Sequence, residues 1–437
     1  VPWARRGEAS RRDDGTRSMS AISLSLLSAT ATAAVLRAPR RAPAVHRAPR
    51  PSSVEFDRRS LLAAACAAPA AGFALPVFAA DSSPLSFAWT ATDGFSNATD
   101  GFITFDEGAY AAMRDDESRT PIFEAAIKKR LAGTDDQVVV DIGTGPYALL
   151  AIMAARAGAK RVYAIEAEPE LARRARAAVA KAGLGGVVSV VDGFTTSVSL
   201  PEKADLALAE IVGSVASEEG CIATIRDAQA RLLKRPNDPE SWIPQRAQTL
   251  GAPASYALHY SLGPENGFDW TKLKEPVRLN CRDETLALLA EPQLLEDISF
   301  ADANLPAAGA WRPVASPTRW SIDADRIAKN EETYFAELKR EGVKEAEAKP
   351  LAASVARSLS GVALWPRLIL DSDGEFVCQS RGARGESRKS HWQTVLPLLS
   401  ARPVDVTERS AVTLRYEVDL GREVAAPPKY KLDGDVA

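Results

Sequence analysis

The sequence predicts an α/β fold in two parts: a parallel, doubly wound sheet, then a β-rich antiparallel portion that carries a helical insertion. Three observations lead there. Residues 138–209 alternate short apolar runs with Ala- and Arg-rich helical stretches, the βαβ rhythm of a parallel sheet. A glycine turn, DIGTGPYA, follows the first of those runs. Beyond residue 243, short apolar runs recur between Pro and Gly turns, as antiparallel strands do.

The elements follow in order. Residues 1–80 carry 12 Lys+Arg against 5 Asp+Glu, and residues 81–437 carry 42 against 52. The basic leader is Ser-, Ala-, Arg- and Pro-rich up to Phe56, then continues through Arg58-Arg59, an apolar run and Ala79-Ala80. That composition reads as a transit peptide followed by a twin-arginine-type signal, which in tandem resemble the bipartite leader of a plastid protein passed on to the thylakoid lumen; a plastid protein without export is the other reading. If the leader is misread, the protein is cytoplasmic. Residues 81–135 form a helical segment. The strands expected next are 138–142, 161–165, 187–191 and 204–209, with helices at 149–156 and 171–182, the second closed by Gly183. Strand-like runs then fall at 247–252, 256–262, 362–370, 376–380, 395–399 and 411–418. Residues 323–359 are charged and helical in period, a solvated insertion that Pro350 divides.

Composition excludes some functions. Apolar residues make up 46% and charged residues 25% of 437 residues, values of an ordinary globular chain. The acidic body disfavours a nucleic-acid-binding surface. Pro69 and Pro76 interrupt the Ala-rich leader run, so stable membrane insertion of the mature body is not expected. Cys66, Cys221, Cys281 and Cys378 lie far apart without a CxxC, and with three histidines they give a metal site no support.

The chemistry-bearing residues start at the glycine turn. Gly143 and Gly145 let the backbone turn sharply and approach a ligand at the carboxyl ends of the strands. With Ala148 the turn also fits GxGxxA, so a dinucleotide enzyme is one reading. Asp141 directly before the first glycine, and Glu166 ending the second strand in AIEAEP, resemble instead the cofactor site of class I S-adenosylmethionine-dependent methyltransferases. Three further segments narrow this. YAAMRDDESRTPIFEAAI supplies Met113, Asp116 and Arg119; LAEIVGSVASEEG sets Glu210 and Glu219 nine positions apart; SHWQTVLPL supplies His391 and Trp392 after Ser390. Their order and spacing over about residues 100–420 resemble the protein arginine N-methyltransferase family. Taken singly, Arg119 could instead pair with Asp115 or Asp116 on a helix surface, and His391-Trp392 could be strand packing.

The resemblance implies a Rossmann-like methyltransferase domain at 136–242 that binds S-adenosylmethionine under a cofactor-covering segment at 81–135. An antiparallel β-barrel-like substrate domain would follow at 243–437, with the helical insertion inside it. Arg119, Asp141, Gly143, Gly145, Glu166, Gly193 and Thr196 would hold the cofactor. Glu210 and Glu219 would grip a substrate guanidinium, His391 would pair with Asp116 as a proton route, and Met113 and Trp392 would line the substrate side. The implied partners are a protein with an accessible arginine and a second copy of the chain, although the segment 267–276 is short for a dimerisation arm. Alternative readings are a catalytically weak, methyltransferase-like scaffold and a methyltransferase for small guanidines. Four places depart from the family pattern: Tyr147 replaces a glycine, Thr196 replaces an acid, with Asp192 nearby, Gly213-Ser214 replaces a Trp-Met pair, and Ser390 replaces a threonine. RGARGESRK at 381–389 reads as a hairpin tip that resembles an arginine-glycine methylation target.

Overall fold

The structure is a computed structural model that describes residues 85–91, 105–263, 268–315, 317–381, 390–420 and 427–437. The leader expected over 1–80, and all of RGARGESRK except Arg381, lie outside the described residues. In chain order the first half comprises β1 (Leu85–Thr90), α1 (Glu107–Arg114), α2 (Thr120–Leu131), β2 (Val138–Ile142), α3 (Leu149–Arg156), β3 (Arg161–Glu166), α4 (Pro169–Lys181), β4 (Val188–Asp192), β5 (Leu206–Leu208), α5 (Cys221–Arg231) and β6 (Trp242–Ile243). The second half runs β7 (Arg246–Tyr256), α6 (Ala257–Ser261), β8 (Val277–Leu279), β9 (Leu286–Leu288), β10 (Gln293–Ser299), β11 (Ala310–Trp311), β12 (Thr318–Ser321), α7 (Ala324–Arg340) and α8 (Glu345–Ala356). It closes with β13 (Ser358–Leu359), β14 (Gly361–Ile369), β15 (Val377–Gln379), β16 (Thr394–Leu396), β17 (Val404–Asp405), β18 (Ala411–Asp419) and β19 (Lys429–Val436).

β2 is a β-branched run buried at every position, which suits a strand covered on both faces. It pairs in parallel with β3 on one side and β5 on the other, giving the order β4-β3-β2-β5-β6. The order reverses beside β2, the place where such sheets open a crevice at their carboxyl ends. α4 shows how sequence sets a helix here. Glu168 caps it by accepting from the Glu170 and Leu171 amides, Pro169 opens it, and Leu171, Ala172, Ala175 and Val179 form one buried stripe.

The second half is antiparallel. A seven-stranded sheet is built on the long β7–β14 pair, and a five-stranded sheet is built on β18 and β19. Leu295, Val362, Leu364 and Val395 from the first meet Val412, Leu414, Tyr416 and Leu432 from the second in one apolar core. The core of the parallel sheet extends without a break into β-domain residues, among them Ala247, Ile298, Leu368, Cys378 and Trp392. The two halves are therefore held together by shared burial, and the loops between them are fixed on both sides. Among the described residues no helix is long and apolar enough to cross a membrane.

Four expectations need correction. The segment expected to be helical over 81–135 begins with a strand: β1 pairs antiparallel with β19 and joins the five-stranded sheet of the second half. β6 pairs in parallel with β5, so the division after residue 242 cuts through a strand of the first domain. Residues 257–261 of the strand-like run 256–262 form α6, because the ladder leaves β7 at Tyr256. Pro350 lies inside α8, and the break falls earlier. Gly342 takes φ +84° and Val343 donates back to the Leu338 carbonyl, a glycine-terminated helix end. The insertion is also anchored: Ile327, Tyr334, Leu338, Ala348 and Ala352 are buried in the β-domain core.

Gly361, the first residue of β14, has the Pro397 carbonyl where a Cβ would stand, 2.0 Å away. Gly361→Ala is expected to lower the urea midpoint by about 1–3 kcal/mol of stability, from forced backbone separation. A midpoint equal to wild type would contradict that packing.

Candidate active site

The site forms where the carboxyl ends of β2, β3 and β5 meet the β-domain. After β2 the chain turns through Gly143 (φ +71°) and Gly145 (φ +65°), conformations that glycine adopts without strain. Gly143 is exposed although Asp141, Ile142 and Thr144 beside it are buried, so the turn presents bare backbone. Asp141 lies beneath, accepting from Thr144 Oγ1 at 2.5 Å and the Ala151 amide at 3.0 Å. Burial raises its pKa to about 6. Asp141 therefore ties the glycine turn to α3.

Glu166 ends β3 and aims at the same turn. Its Oε2 accepts from the Gly145 amide at 2.9 Å and its Oε1 from the Glu168 amide at 3.0 Å. Burial raises its pKa against those donors. Gly193, at φ +131°, continues the β3–β4 ladder by donating to the Glu166 carbonyl at 2.9 Å. Thr196 is exposed. Asp192 is engaged by Arg176, which leaves it no obvious ligand role.

Tyr147 points away from the glycine turn, which resolves the steric question its size raises. Its hydroxyl donates to Glu107 Oε1 at 2.7 Å, and Arg114 and Arg174 lie over its ring. Arg174 also pairs with Glu107 at 2.6 Å. Tyr147 thus helps hold α1 over the cofactor-side turn. Tyr110 on α1 comes within 3.9 Å of a Cβ placed on Gly145. Burial raises its pKa, and the charges of Glu166, Glu168 and Glu219 act in the same direction. Tyr110 was missed from sequence, although it stands three residues before Met113 on the same helix, where side chains share a face.

Arg119 is buried, with one guanidinium bonded twice to Glu210 Oε2, through Nε at 2.9 Å and through Nη2. Its Nη1 donates to the Met113 carbonyl at 3.2 Å, so the bend between α1 and α2 closes on the same group. The surface pairing considered for Arg119 belongs to Arg114, which bonds Asp115. Glu210 leaves β5 and opens a loop in which Val212 to Glu218 are all buried. Glu219 ends that loop half-buried, before Gly220 turns at φ +70° into α5.

The β-domain grips this loop from its other side. Trp392 Nε1 donates to the Val212 carbonyl at 2.9 Å, and the Gln393 amide donates to Ser214 Oγ at 3.1 Å. Trp392 is buried in the core, so it anchors the loop more than it lines a substrate face. Glu218 turns inward to an ion pair with Arg278 of β8. A Cβ on Gly213 would stand 2.9 Å from Glu218 Cβ, so the glycine makes room for that turn.

Asp116 and His391 meet as expected. His391 Nδ1 lies 2.7 Å from Asp116 Oδ2, which also accepts from the His391 amide at 2.8 Å and Ser390 Oγ at 3.0 Å. Ser118 donates twice to Oδ1. Burial alone would raise the Asp116 carboxyl, but donation from His391 and Ser118 outweighs it and holds it well below the usual range. An ionised Asp116 only accepts, so His391 carries its proton on Nδ1 and keeps the Nε2 lone pair.

With the geometry in place, comparison with known proteins is informative. No family model matches the chain. It is 34% identical over 155 residues to the probable protein arginine N-methyltransferase 6 of Arabidopsis thaliana, covering 35% of this chain and 34% of that protein. It is 35% identical over 122 residues to protein arginine N-methyltransferase PRMT10 of the same plant, covering 28% and 31%. Over these stretches the chain is similar to protein arginine N-methyltransferases. The matched stretches span about a third of the length of these two relatives. A solved Trypanosoma brucei PRMT1 enzyme-prozyme heterotetrameric complex with AdoHcy shares the fold, with TM-score 0.54 and 17% identity over 72% of this chain and 88% of that one.

His391 generates a pH prediction. Burial lowers its folded pKa, with Asp116 opposing. Unfolded histidine titrates near about 6.5, so stability is complete above that pH and is lost as pH falls toward the folded value. The His391→Gln variant should lose less melting temperature than wild type between pH 7.5 and 5.5. Asp141 works with opposite sign, stabilising below its unfolded pKa and losing that contribution as pH rises through about 6, but equally in both proteins. Parallel pH curves would contradict the assignment.

Proposed function

We propose that this protein transfers a methyl group from S-adenosylmethionine to the guanidinium of arginine in proteins. The observation that carries the proposal is the loop from Glu210 to Glu219, fixed between the glycine turn and the β-domain, with one end bonded to Arg119. A guanidinium is a poor nucleophile because its charge is delocalised and its pKa exceeds about 12. Glu210 and Glu219 answer this by holding two of its nitrogens in plane and drawing positive charge toward them, which leaves the third richer in electrons. Glu210 presents only Oε2 to Arg119, so Oε1 remains for the substrate side.

The residues fit the cofactor. Exposed backbone at Gly143, the Glu166 carboxylate and the Arg119 guanidinium match a ribose and an amino-acid carboxylate at the end of a parallel sheet. Bound there, S-adenosylmethionine supplies a methyl on a positively charged sulfur. The substrate nitrogen that takes this methyl would form one N–C bond as one S–C bond gives way to a neutral thioether, and would shed a proton. His391 Nε2 would take that proton, with Asp116 holding the ring at Nδ1. Met113 and Tyr110 on α1 cover the cofactor side. We further propose that residues 1–80 direct the protein to plastids and that two copies associate.

Labelled cofactor with arginine peptides and free arginine, followed by mass analysis, tests the reaction. Methyl label on peptide arginine is expected. Glu219→Gln should lower that incorporation by about a hundredfold or more, with cofactor affinity in calorimetry nearly unchanged. Wild-type rates from Glu219→Gln would remove the assigned role.

A further inference from the structure

The glutamate loop rests on a carboxyl group that the mechanism does not use. Glu296, in β10, is fully buried. Its Oε1 accepts from Ser217 Oγ at 2.6 Å and the Tyr416 hydroxyl at 3.0 Å, and its Oε2 accepts from the Ser217 amide at 3.3 Å and from Thr249 Oγ1. Thr249 Oγ1 in turn accepts from the Ala216 amide at 2.8 Å, and Tyr430 reaches Ser217 Oγ at 2.9 Å. Two consecutive amides of the glutamate loop therefore find their acceptors in the β-domain. Buried amides need such acceptors, and where the acceptors stand fixes how the loop backbone runs.

A local irregularity puts the carboxyl there. The β10–β7 ladder passes from Leu294↔Leu250 to Glu296↔Thr249, skipping Leu295. In a regular ladder Leu295 would oppose Thr249. The extra residue sets Glu296 opposite that hydroxyl, as a bulge re-aims a side chain. Leu295 fills the space left by Gly251, where a Cβ would meet Leu295 Cδ1 at 2.4 Å. Bulge, glycine and carboxyl thus form one device. A fully buried acid is costly, and apolar residues of like size would pack the core at least as well. What they lack is an acceptor for Ser217.

We propose that Glu296 is a positioning residue for the paired-glutamate loop: through Ser217 and Thr249 it fixes the backbone at 216–217 and so sets where Glu219 stands. The inference rests on the role proposed for Glu219. Arg278 completes the hold by taking Glu218, the residue between. Three consecutive positions are thereby pinned from the β-domain, and Glu219 follows directly.

The test compares full-length wild type with Glu296→Gln and Ser217→Ala by amide hydrogen exchange, cofactor calorimetry and peptide methylation kinetics. In Glu296→Gln, exchange should accelerate at residues 215–219 while the parallel sheet stays protected. Cofactor affinity should remain within about twofold while kcat/KM for the arginine peptide falls by about tenfold or more. Uniformly faster exchange, with cofactor affinity falling in step, would reduce Glu296 to a stability role and overturn the proposal. So would loop exchange and kcat/KM at wild-type values. If wild type methylates no peptide, the function reading fails separately, and loop exchange alone still decides for or against Glu296. If Glu296→Gln does not fold, Thr249→Val against the hydroxyl-keeping Thr249→Ser gives the same contrast: loss in Val and retention in Ser support the device, and equal behaviour overturns it.

Discussion

Asp116 collects five hydrogen bonds, two from Ser118 in its own segment and three from Ser390 and His391 in the β-domain. Its carboxylate is the knot between the N-terminal helices α1 and α2 and the loop that ends at Trp392. Trp392 then reaches the Val212 carbonyl, which carries the constraint into the glutamate loop. One buried anion thus orders three chain segments that are remote in sequence. Removing it would leave its donors unmatched around a buried position, which is why such groups are costly to disturb.

The loop itself belongs to neither half. Val212 and Ala216 pack in the core of the parallel sheet, and Val215 packs in the core of the β-domain. A segment held by both cores has little freedom to swing, which suits the fixed orientation that the proposed grip on a guanidinium requires. The charges nearby are matched in different ways. Arg119 serves Glu210, Arg278 serves Glu218, and hydroxyl and amide donors serve Glu296. Each solution uses donors whose geometry suits a carboxylate, so acids accumulate around the loop without leaving the interior unbalanced.

Local patterns made the first half legible. β2 and α3 fall on the residues expected, because a β-branched run and an apolar helix bounded by a glycine turn admit few alternatives. The acids and the His-Trp pair were legible only through family resemblance. Asp116 and His391 stand 275 positions apart, and no periodicity links them. Glu296 escaped because the skipped Leu295 reverses the facing that alternation would assign. The break falls at Gly342 and not at Pro350, because the glycine takes the left-handed turn that ends α7 while the proline is accommodated inside α8. Tyr147 looked like an obstacle, and its escape toward Glu107 depends on α1 lying overhead, a tertiary fact.

The central claim is that one guanidinium is shared by two carboxylates beside the cofactor-binding turn. A crystal structure of the protein with S-adenosylhomocysteine and an arginine peptide tests it most directly. The account predicts the substrate guanidinium within hydrogen-bonding distance of both Glu210 and Glu219, with the thioether sulfur lying between Glu166 and Met113. A guanidinium that contacts neither acid, or a Glu219 carboxylate turned away from the bound nucleoside, would contradict it.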